Sequence, residues 1–318
     1  MAALIVAIGG ACSGGGGESI QEIDFSFAEP DTLAAPERVA VGGETAWFTV
    51  DGGVAAVDVA TRAPGGLVDL PEFSKGIAAD ESAAWVAFDD DTVRRVDAAT
   101  GSVSAPIRVA PQPDFSVDAK VRGPMAVAGD AVWVVLTDGI ARIDRETLRP
   151  FPEALPIPGV IGLVADGNRV WVTSRGRLLR LAAATGRVNA EVEVGEGAGG
   201  IAVDNGVVWV RAGDVITGHD AVTLDPLGEP LVFEGERSTS LGGAAPSSVV
   251  AGAGALWGVE GEANIVVRVD PETGEILDEY ELSSPNSSQR AELSRLAFGA
   301  DAVWVGTAIG NRAGVIDP

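Results

Sequence analysis

Seven short apolar stretches, each centred on a tryptophan, organise the chain. In each of them the Trp has apolar neighbours, as in Val132-Trp133-Val134, and an aliphatic or Met residue stands eight positions before it. A tight turn rich in Gly or Asp lies between the two, so the pattern predicts a pair of antiparallel strands. The Trp residues are Trp47, Trp85, Trp133, Trp171, Trp209, Trp257 and Trp304. The residues eight positions earlier, here called the opening residues, are Val39, Ile77, Met125, Leu163, Ile201, Val249 and Leu296.

A third and a fourth strand follow each Trp strand. Residues 93–96 alternate in polarity and lead into the turn Asp-x-x-Thr-Gly at 97–101, and residues 266–269 lead into the same turn at 270–274. Looser copies of this turn begin at Asp58, Asp144 and Asp220. Asp bonds to the backbone two residues on and Gly adopts a positive φ, so the turn predicts a hairpin into a fourth strand.

Four antiparallel strands repeated seven times predict an all-β fold, a seven-bladed β-propeller. Residues 37–318 allow about 40 residues per blade, which is close to the usual 40–45. The first two strands of each unit are apolar on both faces, as expected where neighbouring sheets cover them. We therefore expect the Trp side chains to fill the spaces between blades; the alternative is a surface on which ligands stack.

The two ends of the repeat region predict how the ring closes. The last unit stops after its third strand, and residues 20–27 form a strand pattern that belongs to no blade. Pairing of residues 20–27 with the last blade would complete that blade and remove both sheet edges. Residues 20–318 are therefore predicted to form a single domain.

The repeat resembles a known bacterial family. The run Val-Trp-Val followed by Arg-Val-Asp-Pro-Glu-Thr-Gly, best seen at 268–274, looks like the YVTN-type propeller repeat. Virginiamycin B lyase-like and NHL-type propellers belong to the same superfamily. The resemblance covers nearly all of the predicted domain and implies the fold, but it says little about function because many activities occur on one fold.

The first 19 residues resemble a bacterial lipoprotein signal. Residues 2–8 are apolar but too short to span a bilayer, and Cys12 follows small residues and precedes Ser13 and four glycines. We expect a signal peptide at 1–11, lipidation at Cys12 and a tether at 12–19, with the protein extracytoplasmic and anchored to the membrane by lipid alone. Gly9 departs from the usual aliphatic residue, and no Lys or Arg precedes the apolar run. The alternative is a buried Cys12 in a strand.

Composition excludes several classes of function. With 22 Lys and Arg against 46 Asp and Glu, the net charge is −24, which disfavours nucleic acid as a partner. A single Cys and a single His exclude an intrachain disulfide, a Cys-cluster zinc site and a His-pair site. No metal or other cofactor is predicted. His219 is expected to be structural, and the Asp89-Asp90-Asp91 run a solvated turn.

Long insertions are expected on one face of the ring. Residues 109–123, 234–246 and 283–295 explain the longer Trp spacings and fall where strand two meets strand three or one blade meets the next. The opposite face has short, uniform turns that leave little room for a site. The insertions hold five basic and five acidic residues, so this face is relatively basic, and we expect it to bind an anionic or sugar-like ligand unless it is only a solvated rim. The candidate ligand-binding residues are Phe115, Lys120, Arg122, Arg237, Ser238, Gln289 and Arg290.

Two classes of function remain after these exclusions. One is a non-enzymatic binding or scaffold module, whose partner is a small anionic or sugar-like molecule, a cell-envelope component or another protein. The other is a metal-assisted lyase or hydrolase similar to virginiamycin B lyase. That family relies on paired His, whereas this chain has His219 alone, so Glu260 and Glu262 would have to carry a carboxylate-only site. No catalytic residue is assigned, and a quinone-cofactor enzyme is disfavoured because vicinal cysteines are absent.

Overall fold

The computed structural model describes residues 20–25, 36–71, 74–109, 120–213, 215–232, 249–260, 265–281, 293–307 and 311–318. These residues form strands and turns, and none of them belongs to a helix long and apolar enough to cross a membrane. The strands make seven antiparallel sheets, numbered here as blades in chain order. The prediction of a seven-bladed β-propeller is confirmed.

The strands are bounded as follows. β1 (Gln21–Asp24) precedes blade 1, which contains β2 (Arg38–Gly42), β3 (Thr45–Val50), β4 (Gly53–Asp58) and β5 (Pro64–Asp69). Blade 2 contains β6 (Ser74–Ala79), β7 (Ala83–Phe88), β8 (Thr92–Asp97) and β9 (Ile107–Arg108). Blade 3 contains β10 (Val121–Ala128), β11 (Ala131–Leu136) and β12 (Gly139–Asp144). Blade 4 contains β13 (Val160–Asp166), β14 (Arg169–Ser174), β15 (Arg177–Ala182) and β16 (Val188–Glu193).

The remaining blades follow the same order. Blade 5 contains β17 (Ala198–Asp204), β18 (Val207–Ala212), β19 (Val215–Asp220) and β20 (Pro226–Val232). Blade 6 contains β21 (Val249–Gly252), β22 (Ala255–Glu260), β23 (Ile265–Val269) and β24 (Ile276–Glu281). Blade 7 contains β25 (Leu293–Gly299), β26 (Ala302–Thr307) and β27 (Arg312–Ile316).

The predicted offset of eight residues is a pairing register. Each opening residue stands opposite the residue that follows the Trp, as Met125 does opposite Val134 and Leu163 opposite Val172. The same register holds in the other five blades. A constant register puts every Trp at the same height in its blade.

The Trp side chains fill the spaces between blades, as expected. Trp85 packs with Val93 of its own blade against Val132 and Leu136 of blade 3, and corresponding clusters join every other adjacent pair. Six of the seven Trp residues are almost completely buried, and Trp209 is partly buried. The indoles therefore pack between blades and do not form a surface on which ligands stack.

The chain closes the ring with β1, the predicted N-terminal strand. Gln21 pairs with Val315 and Asp24 with Arg312, so β1 is the fourth strand of blade 7. The Phe25 amide adds a 2.7 Å hydrogen bond to the Asn311 carbonyl. Residues 26 and 27, which the prediction included, lie outside the described residues.

Blade 3 departs from the regular pattern at its outer edge. Its sheet has three strands, and the segment that follows β12 pairs only through bridges at Pro150 and Leu155. Residues 150–158 contain four prolines, which have no N–H to donate to a ladder. The fourth strand is thus reduced to two points of contact.

The Asp turns form as predicted. The Asp58 carboxylate accepts hydrogen bonds from the amides of Ala60 and Thr61 and from the Thr61 hydroxyl, and these bonds lower the pKa of Asp58. The equivalent carboxylates at 97, 144, 220 and 270 also accept bonds from the Thr three residues on, and their pKa values are lowered. Blade 4 has Ala182 at this position, and its turn forms from backbone bonds and from a 3.3 Å bond that the Arg187 amide donates to the Thr185 hydroxyl.

We expect Trp133→Ala to lower the free energy of unfolding by about 3–5 kcal/mol, because removal of a fully buried indole leaves a cavity between blades. The matched variant Trp209→Ala should cost less, since Trp209 is only partly buried at the edge of its cluster. Urea denaturation followed by circular dichroism measures both. Equal losses would contradict the assignment of inter-blade packing as the main source of stability.

Candidate functional site

The two faces of the ring are arranged as predicted. The turn after β10 and the turn after β12 meet through a 3.0 Å hydrogen bond from the Arg145 amide to the Asp130 carbonyl. The loop after β11 contacts the connection into β10 at the other end, where the Thr137 amide donates to the Lys120 carbonyl at 2.8 Å. We call the first end the short-turn face and the second end the long-loop face.

The structure describes two of the seven predicted ligand-binding residues. Lys120 and Arg122 stand at the start of β10, on the long-loop face. Phe115, Arg237, Ser238, Gln289 and Arg290 lie outside the described residues.

Lys120 is held by a carboxylate of the neighbouring blade. Its ammonium lies 2.7 Å from one oxygen of Asp91, and the other oxygen of Asp91 accepts a 3.2 Å bond from the Val121 amide. The Asp91 side chain is buried at the end of the loop between β7 and β8. The adjacent Asp90 accepts bonds from the amide and hydroxyl of Thr92. Both carboxylates of this acidic turn therefore stabilise the fold, and Asp91 joins blade 2 to blade 3.

Arg122 lines a cavity at the centre of the long-loop face. The first strands of neighbouring blades contact one another around the axis, and five of them contribute the cavity wall. The cavity encloses about 230 Å³. Its apolar lining includes five of the seven opening residues, Val39, Ile77, Met125, Leu163 and Leu296. Among the described residues, its charged lining consists of four cations, Arg38, Lys75, Arg122 and Arg295, which we call the cationic quartet.

The quartet is poorly neutralised by the described residues. Arg38 lies 2.7 Å from the Glu37 carboxylate and donates through Nε to the Lys75 carbonyl at 3.1 Å, which ties blade 1 to blade 2. Within the described ranges, no carboxylate forms an ion pair with Lys75, Arg122 or Arg295. Among the residues that the structure describes, no Asp or Glu lines the cavity. The cavity is therefore a concentration of positive charge in a chain of net charge −24.

The charge of Arg295 is affected by the neighbouring charge of Arg38. Burial lowers the pKa of the Arg295 guanidinium, the neighbouring Arg38 charge lowers it further, and Glu37 acts in the opposite direction. Like charges at short range repel, and partial burial weakens the screening by water that would normally reduce this cost.

Two glycines permit this close approach. A Cβ on Gly76 would lie 1.8 Å from the Gly123 carbonyl oxygen, and a Cβ on Gly123, whose φ is +123°, would lie 2.6 Å from the Lys75 carbonyl oxygen. The first strands of blades 2 and 3 therefore touch backbone to backbone. This contact places Lys75 and Arg122 on the same side of the cavity.

Half of the quartet was not predicted from the sequence. Arg122 was predicted, and Arg295 was counted among the basic residues of the insertions, but Arg38 and Lys75 were not considered as ligands. The sequence does contain a signal that could have identified them: each of the four cations stands one to three residues before an opening residue. Only the ring arrangement shows that these positions converge on one axis.

The short-turn face has more room than expected, which corrects the prediction. A groove of about 580 Å³ between blades 2 and 3 is lined by residues that include Trp85, Arg95 and Arg145. Its cations are already paired, since Arg145 lies 3.1 Å from Asp80 and Arg95 lies 3.1 Å from Asp97. The uniform turns leave this groove because neighbouring blades diverge away from the axis. Its internal pairing makes it a weaker candidate than the central cavity.

Of the remaining candidate site residues, His219 has a structural role and the others lie outside the described residues. His219 is buried, with its ring nitrogens 3.2 Å from the Leu224 carbonyl and 3.0 Å from the Thr217 hydroxyl, so it supports the hairpin of blade 5. Glu262 and the side chain of Glu260 lie outside the described residues, as does Cys12. Among the residues that the structure does describe, no three His, Cys, Asp or Glu side chains form a group that could hold a metal ion.

Comparisons with known proteins agree with the fold. The family described as "Outer membrane protein assembly factor BamB" matches residues 155–312. Comparison with curated proteins gives no match. The β-propeller domain of Cps50 (Swd1) from Myceliophteria thermophila is similar with a TM-score of 0.68 and 14% identity, over 91% of this chain and 98% of that chain. These likenesses, and the two that follow, are at the level of the fold.

Two further solved structures are similar. The computationally designed protein Ika8 gives a TM-score of 0.59 at 15% identity and covers 89% of this chain and 83% of its own. BamB from Moraxella catarrhalis gives a TM-score of 0.54 at 15% identity and covers 88% of this chain and 82% of its own.

We expect Gly76→Ala to lower the free energy of unfolding by about 3 kcal/mol or more, because its Cβ would overlap a backbone oxygen that cannot move freely. The control is Gly66→Ala in β5, where a Cβ meets no atom within 4 Å. That variant should be neutral or slightly stabilising. Chemical denaturation of the two proteins tests the claim, and equal stabilities would contradict the tight contact around the axis.

Proposed function

We propose that this chain is a non-enzymatic binding or scaffold module that is held at the cell envelope by a lipid on Cys12 and binds its ligand on the long-loop face. The cationic quartet carries the proposal. Four cations gathered around one cavity are costly in the absence of a ligand, and functional sites are where such costs are commonly found. The rigid closed ring would hold them in fixed positions.

The cavity lining favours a binding module over a metal-assisted lyase. A lyase that used Mg²⁺ would need carboxylates to hold the ion, whereas the described part of the cavity lining presents four cations and no carboxylate. Repulsion between the quartet and a divalent cation would oppose metal binding there.

The proposed partners follow from the charge of the face and from the fold. The sequence predicts Phe115, Arg237, Ser238, Gln289 and Arg290 in insertions on the long-loop face, where they would extend the contact area. The likeness to a family described as an outer membrane protein assembly factor supports a protein partner. The acidic chain as a whole disfavours nucleic acid, and membrane contact would occur through the lipid alone.

The tether is tested by expression with the native leader, extended upstream, followed by membrane fractionation. The native chain should be recovered with the membrane, because a lipidated Cys carries enough acyl chain for stable anchoring. Cys12→Ala should move the protein to the soluble extracytoplasmic fraction, and Ser13→Ala serves as the matched control. A Cys12→Ala protein that stays in the membrane would contradict the proposed anchor.

The binding face is tested by hydrogen exchange with a panel of neutral envelope sugars, acidic sugars and acidic peptides. Ligands should slow exchange at residues 74–77, 120–125 and 293–296, which surround the cavity on the long-loop face. Slowed exchange confined to the short turns at 129–130 and 145–147 would place the site on the opposite face and overturn the proposal.

A further inference from the structure

We propose that the central cavity binds a compact oxyanion with at least two negative charges, such as a di- or tricarboxylate or a phosphate ester. This inference rests on the proposed function, because it names the chemical class of the ligand on the same face. It is carried by three properties of the described residues: the number of cations, the apolar lining and the size of the cavity.

The balance of charge sets the valence of the ligand. The quartet contributes four positive charges, and among the described residues Glu37, which contacts Arg38 at 2.7 Å, is the carboxylate that forms an ion pair with it. A neutral sugar would leave the repulsion between the cations unchanged, and a monoanion would offset only part of it. A ligand with two or three negative charges relieves the repulsion most fully.

The chemistry of the cations indicates oxygen acids. Three of the four are Arg, whose planar guanidinium donates two parallel hydrogen bonds to a carboxylate or phosphate, and the fourth, Lys75, supplies a point charge. Arg122 is exposed and free of ion pairs with the described residues, so it is available to a ligand.

The size and lining of the cavity favour a small molecule. A volume of about 230 Å³ equals the share of roughly eight water molecules in the liquid. The aliphatic opening residues form the apolar part of the wall, which suits the carbon backbone of a short organic acid.

The surface charge also favours a small ligand over an acidic macromolecule. The chain has a net charge of −24, so a large polyanion would meet repulsion over most of its contact area. A compact anion inside the cavity interacts mainly with the quartet, because charges beyond about 8–10 Å are screened at physiological salt.

The test is calorimetric titration of the full domain at constant ionic strength with succinate, citrate and glycerol phosphate. Acetate and glucose serve as monovalent and neutral controls. The di- and trivalent acids should bind, and acetate and glucose should bind at least about tenfold more weakly, as expected for the loss of one charge-assisted bond. Comparison of the affinities for succinate and citrate with the affinity for glycerol phosphate distinguishes a carboxylate ligand from a phosphate ligand.

Variants locate the binding in the cavity. Arg122→Gln and Lys75→Gln should each weaken binding of the acids by about tenfold or more. Arg187→Gln removes an exposed cation on the short-turn face and should leave binding unchanged. Arg295→Gln should weaken binding while it leaves the thermal midpoint of the free protein unchanged or raised, because it removes a repulsive charge.

Three results would overturn the inference. They are equal binding of acetate and succinate, binding that persists unchanged in Arg122→Gln and Lys75→Gln, and no binding of any acid in the panel. If none of the acids binds while a neutral sugar slows hydrogen exchange on the long-loop face, the inference is wrong and the proposed binding face stands. If exchange slows only on the short-turn face, the proposed function fails as well.

Discussion

The packing of each blade against the next is the interaction on which the rest of the structure depends. A blade is a twisted sheet with apolar residues on both faces, so it cannot be stable alone and must be covered on both sides. The Trp of the second strand supplies the largest part of this cover, as Trp133 does between blades 3 and 4. Because each blade covers its neighbour, the chain can satisfy all of them only as a closed ring.

Ring closure follows from the same requirement. Blade 7 would expose an unpaired edge after β27, and β1 removes that edge by taking the outermost position. Phe25 then packs against Phe48 of blade 1, with ring centroids 5.3 Å apart, and Phe48 lies near Trp304. The two ends of the chain thus meet in one apolar cluster, and closure and inter-blade packing support each other.

The axis is where packing and function meet. The first strands crowd together there, and Gly76 and Gly123 allow two of them to touch through their backbones. Crowding also brings the side chains before the opening residues into one cavity. The apolar opening residues and the cations just ahead of them therefore have different roles: the former supply the apolar wall of the cavity, and the latter supply its charge. A short sequence segment serves stability and the proposed recognition at once.

The constant spacing to each Trp was sufficient to predict the fold from the sequence, because a repeat with alternating apolar strands has few ways to bury both faces of its sheets. The Asp turns and the closing strand were predictable for the same local reasons, since their hydrogen bonds lie within a hairpin or at one edge. In blade 3, two bridges replace the fourth strand because that segment contains four prolines. The prolines are visible in the sequence, but their effect on strand pairing could be seen only in the structure.

The candidate site was predicted only in part. Charge in the insertions pointed to the long-loop face and to Arg122, but it also included Lys120, whose charge is paired with Asp91 of the preceding blade. Arg38 and Arg295 are 257 residues apart in the chain, and their proximity arises because the ring brings its first and last blades together. The sequence by itself determined the blades and their order. Only the tertiary structure decided which cations share a cavity, because that depends on how the blades are arranged around the axis.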